Sequence, residues 1–168
     1  MRYNVKNIGS ITMIHIIRFI HLSSLVVWIG SIVFFSFIAA PGIFKALPRE
    51  TAGDVVGEIF PKYWLIGYIC SIAALLTLAY MAAYERMIPV MKISLLVLMT
   101  LITFYSGLAV GSKARSIKAE IKAVEEPAKK ESLRTEFKSL HFKSVILNIT
   151  VLILGTIFLF LTAYNIRV

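Results

Sequence analysis

Five polar residues from two separated stretches have the types and spacing to form a binding site. They are Arg49, Tyr63, His141, Ser144 and Asn148. The last three repeat at helical spacing on one stripe, which must face protein because an amide in lipid would lack hydrogen-bond partners. Such a group can hold an anion or a small polar ligand, with Arg49 as its charge partner and His141 as a pH-sensitive contact. The alternative is a structural clasp in which the same groups satisfy one another.

A second candidate group lies in the first long apolar segment. Arg18, His21 and Trp28 fall on one stripe of a helix, and an imidazole in apolar sequence is a candidate ligand for metal or haem. A haem held by two histidines is disfavoured, because His21 and His141 are expected near opposite membrane faces, about 30 Å apart. Haem with one histidine ligand and bound copper stay open as alternatives. We predict no cofactor.

The rest of the sequence lacks the patterns that accompany catalysis. It contains no glycine-rich phosphate loop, nucleophile elbow or metal-binding helix motif, and its nine acidic residues lie at or outside the ends of the apolar segments. The single cysteine, Cys70, lies inside an apolar segment, which excludes a disulfide within the chain and a cysteine-based zinc site. We therefore expect a protein that is not an enzyme.

Hydropathy places these residues in membrane-spanning helices. The mean hydropathy is +0.82 and 58% of the residues are hydrophobic, against roughly 45–50% in soluble domains. About 20 apolar residues cross a bilayer, and four such spans occur, at 19–40, 63–84, 88–111 and 145–164. The first exceeds the core of a signal peptide, about 7–15 residues, so we expect it to stay in the protein. Residues 1–168 are thus predicted to form one domain, an all-α antiparallel four-helix membrane bundle.

The segments between the spans are predicted to be helical as well. Pro41 and Gly42 are expected to end the first span, and residues 50–60 to form a short helix along the membrane interface. Residues 113–143 are charged but keep apolar stripes on both sides of Pro127, which predicts a helical hairpin projecting from the membrane. A disordered linker is disfavoured, because it would not keep two matched stripes.

The distribution of positive charge predicts the orientation of the bundle. Four spans place twelve of the eighteen lysines and arginines at the end that carries residues 41–62 and the hairpin. The positive-inside rule then puts the hairpin 113–143 in the cytoplasm and both termini outside the cell membrane. The net charge of +9 therefore reflects orientation. No nucleic-acid partner is expected, since nucleic-acid binding would need a soluble basic face with exposed aromatic residues.

Two motifs bracket most of the chain: P-R-x-T-x-G followed by F-P-x-Y, and F-x-x-x-H-x-x-S-x-x-x-N. Their residues here are Pro48, Arg49, Thr51, Gly53, Phe60, Pro61 and Tyr63, and then Phe137, His141, Ser144 and Asn148. In order and separation they resemble the four-span family called domain of unknown function 4149, which is similar to the eukaryotic transmembrane protein 205 group. The chain departs from the family in its third span, where members often carry proline and this chain has Gly111-Ser112. The resemblance implies a bundle without a settled activity.

A third motif covers the first span alone. R-x-x-H followed by W-x-G, here Arg18, His21, Trp28 and Gly30, resembles the opening of copper-resistance D-type membrane domains. We expect an integral membrane protein that is an accessory or assembly subunit or that binds a small ligand. The alternatives are a transporter or handler of a metal such as copper or of another small solute, and a b-type haem protein. The expected partners are the lipid bilayer and, beyond it, further copies of the chain or a larger membrane complex.

Overall fold

The computed structural model describes residues 5–164, with side chains from residue 12 onward. Its helical segments are α1 Val5–Phe34, a π-helical turn Phe35–Ala39, α2 Ala40–Ala46, α3 Arg49–Glu85, α4 Val90–Phe104, a π-helical segment Tyr105–Gly111, α5 Ser112–Ala123 and α6 Pro127–Tyr164. Among these residues there is no strand. Four continuous rods are long and apolar enough to cross a membrane, namely Thr12–Ala46, Arg49–Glu85, Val90–Ala123 and Pro127–Tyr164. The predicted all-α four-helix membrane bundle is confirmed.

Short turns join the four rods and reverse the chain at each end of the bundle. The rods are separated by residues 47–48, 86–89 and 124–126. The second rod packs against the first and third, and the fourth packs against the third. The arrangement is therefore an antiparallel bundle in which sequence neighbours are neighbours in space.

Each rod is longer than a bilayer requires. The rods contain 34 to 38 residues, or about 50–57 Å of helix, against a hydrocarbon core of about 30 Å. Charge is concentrated at one end, which comprises residues 40–62, α5 and residues 127–143, and we call it the projecting end. The charge count at the opposite end includes Arg2, Lys6 and Arg167, whose side chains lie outside the described residues. Because charged side chains are costly in lipid, the projecting end must extend out of the hydrocarbon core.

The predicted hairpin forms part of this end. α5 and α6 pack against each other, and Lys113 contacts Glu136 at 2.7 Å across the hairpin. Val124 leaves the helix with extended backbone. Pro127 then opens α6, a position at which the missing N–H of proline costs no intrahelical hydrogen bond. The prediction of a helical hairpin over residues 113–143 is confirmed.

The prediction of a separate interfacial helix at 50–60 is wrong. Residues 49–85 form one α-helix that runs through Pro61 without a break in assignment. Proline removes one backbone hydrogen bond from a helix interior. Buried residues lie on both sides of it, Val56 before and Tyr63 and Trp64 after. Packing on both sides therefore keeps the segment continuous with the second span.

The first span also continues past its predicted end. Pro41 does not terminate the helix, because it lies in the first turn of α2, directly after the π-helical turn. A first turn tolerates proline, whose fixed φ suits the helix and whose N–H is not needed there. The helix ends instead at Leu47, which has extended backbone before Pro48.

Close packing against the third rod depends on two glycines, which have no side chain. A Cβ at Gly107 would overlap the hydroxyl of Tyr68, whose ring stacks on Phe104 with centroids 4.5 Å apart. A Cβ at Gly111 would lie 3.1 Å from Nε1 of Trp64. Glycine at these positions lets the aromatic side chains of α3 lie directly on the backbone of the third rod. This contact fixes the orientation of Trp64 at the start of the membrane-spanning part of α3.

Candidate functional site

The projecting end contains an open cavity of about 600 Å³. Side chains from the start of α3, from α5 and from the first half of α6 line it. Binding sites for small molecules typically have volumes of about 300–1,000 Å³. The cavity therefore has the size of a ligand site. It lies at the end of the bundle that carries Arg49 and His141, and both residues line it.

Aromatic rings close the cavity toward the centre of the bundle. Phe60 and Trp64 line the cavity, and their rings stack with centroids 6.1 Å apart. Tyr63 lies behind them, with ring centroids 5.1 Å from Trp64 and 5.2 Å from Phe35. Phe35 is the first residue of the π-helical turn, which therefore brings a fourth ring into the group. We call these four rings the aromatic floor.

The walls of the cavity are predominantly cationic. Six basic and three acidic side chains line it: Arg49, Arg115, Lys118, Lys122, Arg134 and Lys138, with Glu50, Asp54 and Glu131. Among the residues that the structure describes, three of the basic ones have no carboxylate within the 4.0 Å of an ion pair. These are Arg49, Arg115 and Lys138, and we call them the free cations. Within the described residues, the cavity thus holds three cations without an ion-pair partner, against one acidic side chain, Glu50, that is also unpaired.

The other lysines of α5 fasten the hairpin to α3. Lys118 and Lys122 contact the carboxylate of Asp54 at 2.8 and 2.9 Å, and the Lys118 ammonium also donates to the carbonyl oxygen of Gly53. Hydrogen bonds from Lys118 and Lys122 lower the pKa of Asp54 from its ordinary 3.8 to about 2. We call this group the Asp54 clasp. It holds α5, one wall of the cavity, against the start of α3. Its lysines are paired with a carboxylate of the protein and are therefore not counted among the free cations.

The structure divides the five predicted site residues into two layers. Arg49, His141 and Ser144 line the cavity. Tyr63 and Asn148 lie below it, where the Tyr63 hydroxyl donates to Oδ1 of Asn148 at 3.1 Å. Asn148 therefore faces protein, as the position of an amide in an apolar helix requires.

Two details of the expected polar cluster are wrong. Ser144 makes no side-chain hydrogen bond within the described part of the chain, so it does not bridge the other members. Tyr63 lies inside α3 rather than in a loop, because that helix begins at Arg49. His141 is exposed, and its ring stacks on Phe137 one helical turn earlier, with centroids 6.4 Å apart. One buried hydrogen bond and one open cationic cavity replace the single network that the sequence predicted.

Sequence reasoning missed two of the three free cations and most of the floor. Arg115, Lys118 and Lys122 repeat at i, i+3 and i+7, which places them on one face of α5. That spacing is a usable signal for a shared cationic face, whereas the number of these charges indicates only the orientation of the bundle. Lys138 follows Phe137 of the second motif, and no pattern in the sequence relates it to Arg115.

The second candidate group is built into the packing at the other end of the bundle. Nδ1 of His21 lies 2.9 Å from Oγ1 of Thr77 and 3.1 Å from the carbonyl oxygen of Ala74. His21 is 4% exposed and Trp28 is 1% exposed. The imidazole is thus bonded to α3, and its surroundings are those of a satisfied core histidine.

Arg18 completes this end through an ion pair on the surface. Its guanidinium donates to Oε1 of Glu85 at 2.8 Å and links α1 to the last residue of α3. Both side chains are about half exposed, so the pair is a weak surface contact. The geometry of Arg18 and His21 is that of helix-to-helix attachment, and no open coordination site is formed by the two.

The two histidines are too far apart to share a haem. The ring of His21 packs against Phe158 with centroids 5.9 Å apart. Phe158 and His141 lie on the same helix, and their separation of 17 positions corresponds to about 25 Å. The predicted separation of His21 and His141 is confirmed. Within the described residues there is also no group of three or more His, Cys, Asp or Glu side chains that could hold a metal ion.

Comparison with known proteins gives a family and one short stretch of similarity. The sequence model of the family described as "Domain of unknown function (DUF4149)" matches residues 23–123, more than half of the chain. This match includes the first motif and ends before the second, so the similarity of residues 137–148 to the family stays a prediction. So do the resemblances to the transmembrane protein 205 group and to copper-resistance domains.

A protein of Aquifex aeolicus (strain VF5), described as uncharacterized, is 53% identical to this chain over 36 residues. The matched part is 21% of this chain and 27% of that protein, so the chain spans about a quarter of the relative's length. No solved structure matches the chain.

Proposed function

The chain belongs to the family of domain of unknown function (DUF4149), and we propose that its membrane bundle is the scaffold of a binding site for a small anionic ligand. The protein is an integral membrane protein, and in this proposal it has no catalytic role. The ligand occupies the cavity at the projecting end. Its negative group contacts the free cations, and its apolar part lies on the aromatic floor.

The observation that carries this proposal is the presence of three free cations in one cavity with an apolar floor. Arg49, Arg115 and Lys138 share a cavity in which like charges repel one another. An anion in their midst would remove that repulsion and replace it with attraction. A floor of large aromatic rings adds apolar contact, as in most small-molecule sites. The free cations would then bind the negative group of the ligand, and the aromatic floor would bind its apolar part.

The buried hydrogen bond supports a division of labour between the two layers. Tyr63, a ring of the floor, donates its hydroxyl to Asn148 on the side away from the cavity, which gives the two residues a structural role. His141, which lies in the cavity wall, has no hydrogen-bond partner within the described residues and is exposed. It is therefore available as the pH-sensitive contact of a ligand. The structural role and the ligand-binding role, which the sequence left as alternatives, thus belong to different residues of the same predicted group.

The aromatic floor also favours binding over passage through the bundle. Phe35, Tyr63 and Trp64 are each less than 9% exposed, and they pack ring against ring where the cavity meets the core. A transport path would have to pass these rings. We therefore place binding before transport, and transport or metal handling remains the alternative function.

Anion-dependent stabilisation of the purified protein tests this proposal. Inorganic phosphate and dodecyl phosphate, which adds an apolar chain to the same charge, are titrated against the melting temperature in detergent. We expect both to raise the melting temperature, and Arg115→Gln or Lys138→Gln to reduce the rise at least twofold. Lys129→Gln is the matched control, because Lys129 is an exposed lysine of the same hairpin that does not line the cavity. An equal rise in all three variants would refute the site.

A further inference from the structure

The lining of the cavity combines two kinds of surface. Phe60, Trp64 and Leu140 are apolar, whereas Arg115 and Lys138 are cationic, and a guanidinium nitrogen of Arg115 lies near Trp64 beside Gly111. A small hydrated anion would contact only the cations and would leave the apolar lining in water. An amphiphile with an anionic head would use both. The lining thus matches a molecule that carries negative charge at one end and hydrocarbon at the other.

Sequence position places the cavity where the helices leave the bilayer. The apolar part of α6 begins at Val145, and Lys138 lies seven residues, or about 10 Å, before it. Each headgroup layer of a bilayer is about 5–8 Å thick. Trp64 belongs to the first turn of the apolar part of α3. The floor is therefore at the edge of the hydrocarbon core. The backbone of Lys138 lies just beyond the headgroup layer, and its long side chain can extend back to the headgroups.

An independent contact on the outer surface marks the same depth. Lys143 donates to the hydroxyl of Tyr105 at 2.6 Å, and its Nζ lies 5.0 Å from the centroid of that ring. Both side chains are exposed. Tyrosine and lysine at the surface of a membrane protein typically lie at the interface between hydrocarbon and headgroups. Lys143 is five residues from Lys138 on α6, which again puts the cavity at the headgroup layer.

We propose that the occupant is an anionic phospholipid of the surrounding bilayer, with its phosphate at Arg115 and Lys138 and the start of an acyl chain on the aromatic floor. This inference rests on the proposed function and specifies its ligand. Six basic side chains against three acidic ones make the lining complementary to a lipid of net negative charge rather than to a zwitterionic one. The predicted orientation puts the cavity in the cytoplasmic leaflet, where anionic lipids attract basic protein segments.

Lipid selectivity of the full chain in detergent tests the inference. Delipidated protein is titrated with phosphatidylglycerol and with phosphatidylcholine of the same acyl chains, and retained lipid is measured by native mass spectrometry. We expect half-saturation at an at least tenfold lower concentration of phosphatidylglycerol. The double variant Arg115→Gln/Lys138→Gln is expected to lose this preference, and Lys129→Gln to keep it. Both substituted side chains of the double variant are exposed, so the fold is expected to persist.

A second variant keeps the test decisive if the double variant does not fold. Ala114→Glu adds a negative charge to the cavity wall and leaves every cation in place. It is expected to weaken phosphatidylglycerol binding at least threefold and to leave phosphatidylcholine unchanged. Arg115→Lys, which keeps the charge, is expected to retain the preference.

The outcomes separate the lipid from the more general ligand. Equal retention of the two phospholipids by the unchanged protein would overturn the lipid assignment. If inorganic phosphate still raised the melting temperature in a manner that depends on Arg115, the proposed function would stand with a soluble anion as its ligand. If neither phosphate nor dodecyl phosphate had such an effect, and no lipid were preferred, both proposals would fall.

Discussion

The partly buried hydrogen bond between Tyr63 and Asn148 leads to a quantitative prediction about stability. The hydroxyl donates to Oδ1 at 3.1 Å, and Tyr63 is 8% exposed. Asn148→Leu leaves the hydroxyl buried without an acceptor, and Tyr63→Phe leaves the amide oxygen without a donor. A buried polar group without its partner costs about 1–3 kcal/mol. Each single variant is therefore expected to lower the free energy of unfolding by about that amount.

The double variant distinguishes this bond from general packing. Replacing both partners by apolar groups of similar shape leaves no unpaired group behind, so the double variant loses less stability than the two single variants together. Tyr63→Phe/Asn148→Leu is therefore expected to be more stable than the sum of the single variants implies. Hydrogen bonds between helices in membranes couple by about 0.6 kcal/mol on average and at most about 1.7 kcal/mol. We expect a coupling energy of about 1 kcal/mol here, within that range, because Tyr63 is buried and Asn148 is partly buried.

Reversible unfolding of the detergent-solubilised protein in sodium dodecyl sulfate, followed by circular dichroism, measures this cycle. Thr156→Val serves as control, because Thr156 is exposed and its hydroxyl donates to the carbonyl of Leu152 within its own helix. The control is expected to change the free energy of unfolding by less than about 0.5 kcal/mol. Additive effects of the two single variants, with a coupling energy near zero, would refute the assigned role of the bond.

Three further predictions follow from other parts of the bundle. Gly107→Ala is expected to destabilise the protein by about 1–3 kcal/mol in the same unfolding assay, since a Cβ there overlaps a tyrosine hydroxyl of α3; unchanged stability would contradict the close packing. The lowered pKa of Asp54 stabilises the fold fully above pH 3.8, and this contribution is lost as the pH falls from 3.8 to about 2. Asp54→Asn is therefore expected to flatten the pH dependence of stability in that window, whereas a profile that overlays the unchanged protein would count against the clasp. Lys129→Cys, combined with Cys70→Ala, is expected to resist labelling by impermeant maleimide in intact cells, because the predicted orientation places the hairpin in the cytoplasm. Labelling from outside would invert the predicted orientation.

Much of the fold could be predicted because the bilayer sets a length and a polarity for each span. Four apolar runs of about 20 residues leave few arrangements, and two apolar stripes around Pro127 specify the hairpin. The continuation of the helices through Pro41 and Pro61 could not be predicted in the same way. Proline shows that a hydrogen bond is missing, but continuation of the helix depends on whether neighbouring elements pack on both sides of it. For α3, that packing involves residues distant in sequence.

The candidate site was partly predictable for a similar reason. His141, Ser144 and Asn148 share a helical stripe, so periodicity alone places them together. Periodicity does not give depth, and the structure separates Asn148 below the floor from the other two in the cavity wall. Pairing of cations with carboxylates is equally invisible in sequence. Only the folded arrangement shows that Asp54 forms ion pairs with two lysines, Lys118 and Lys122, and that Arg115 has no carboxylate partner.

The continuity of α3 has a mechanical consequence. One rod carries the cavity wall at its start and the partners of His21 and Arg18 at its far end. Pro61 lacks a backbone hydrogen bond, so resistance to bending is lowest at that level. The 12 residues from Arg49 to Pro61 form an arm of about 18 Å, and a bend of about 10° would move its tip by about 3 Å. The width of the cavity mouth thus depends on the angle at Pro61 and on the Asp54 clasp that ties the arm to α5, while the far end of the rod stays anchored to the first span.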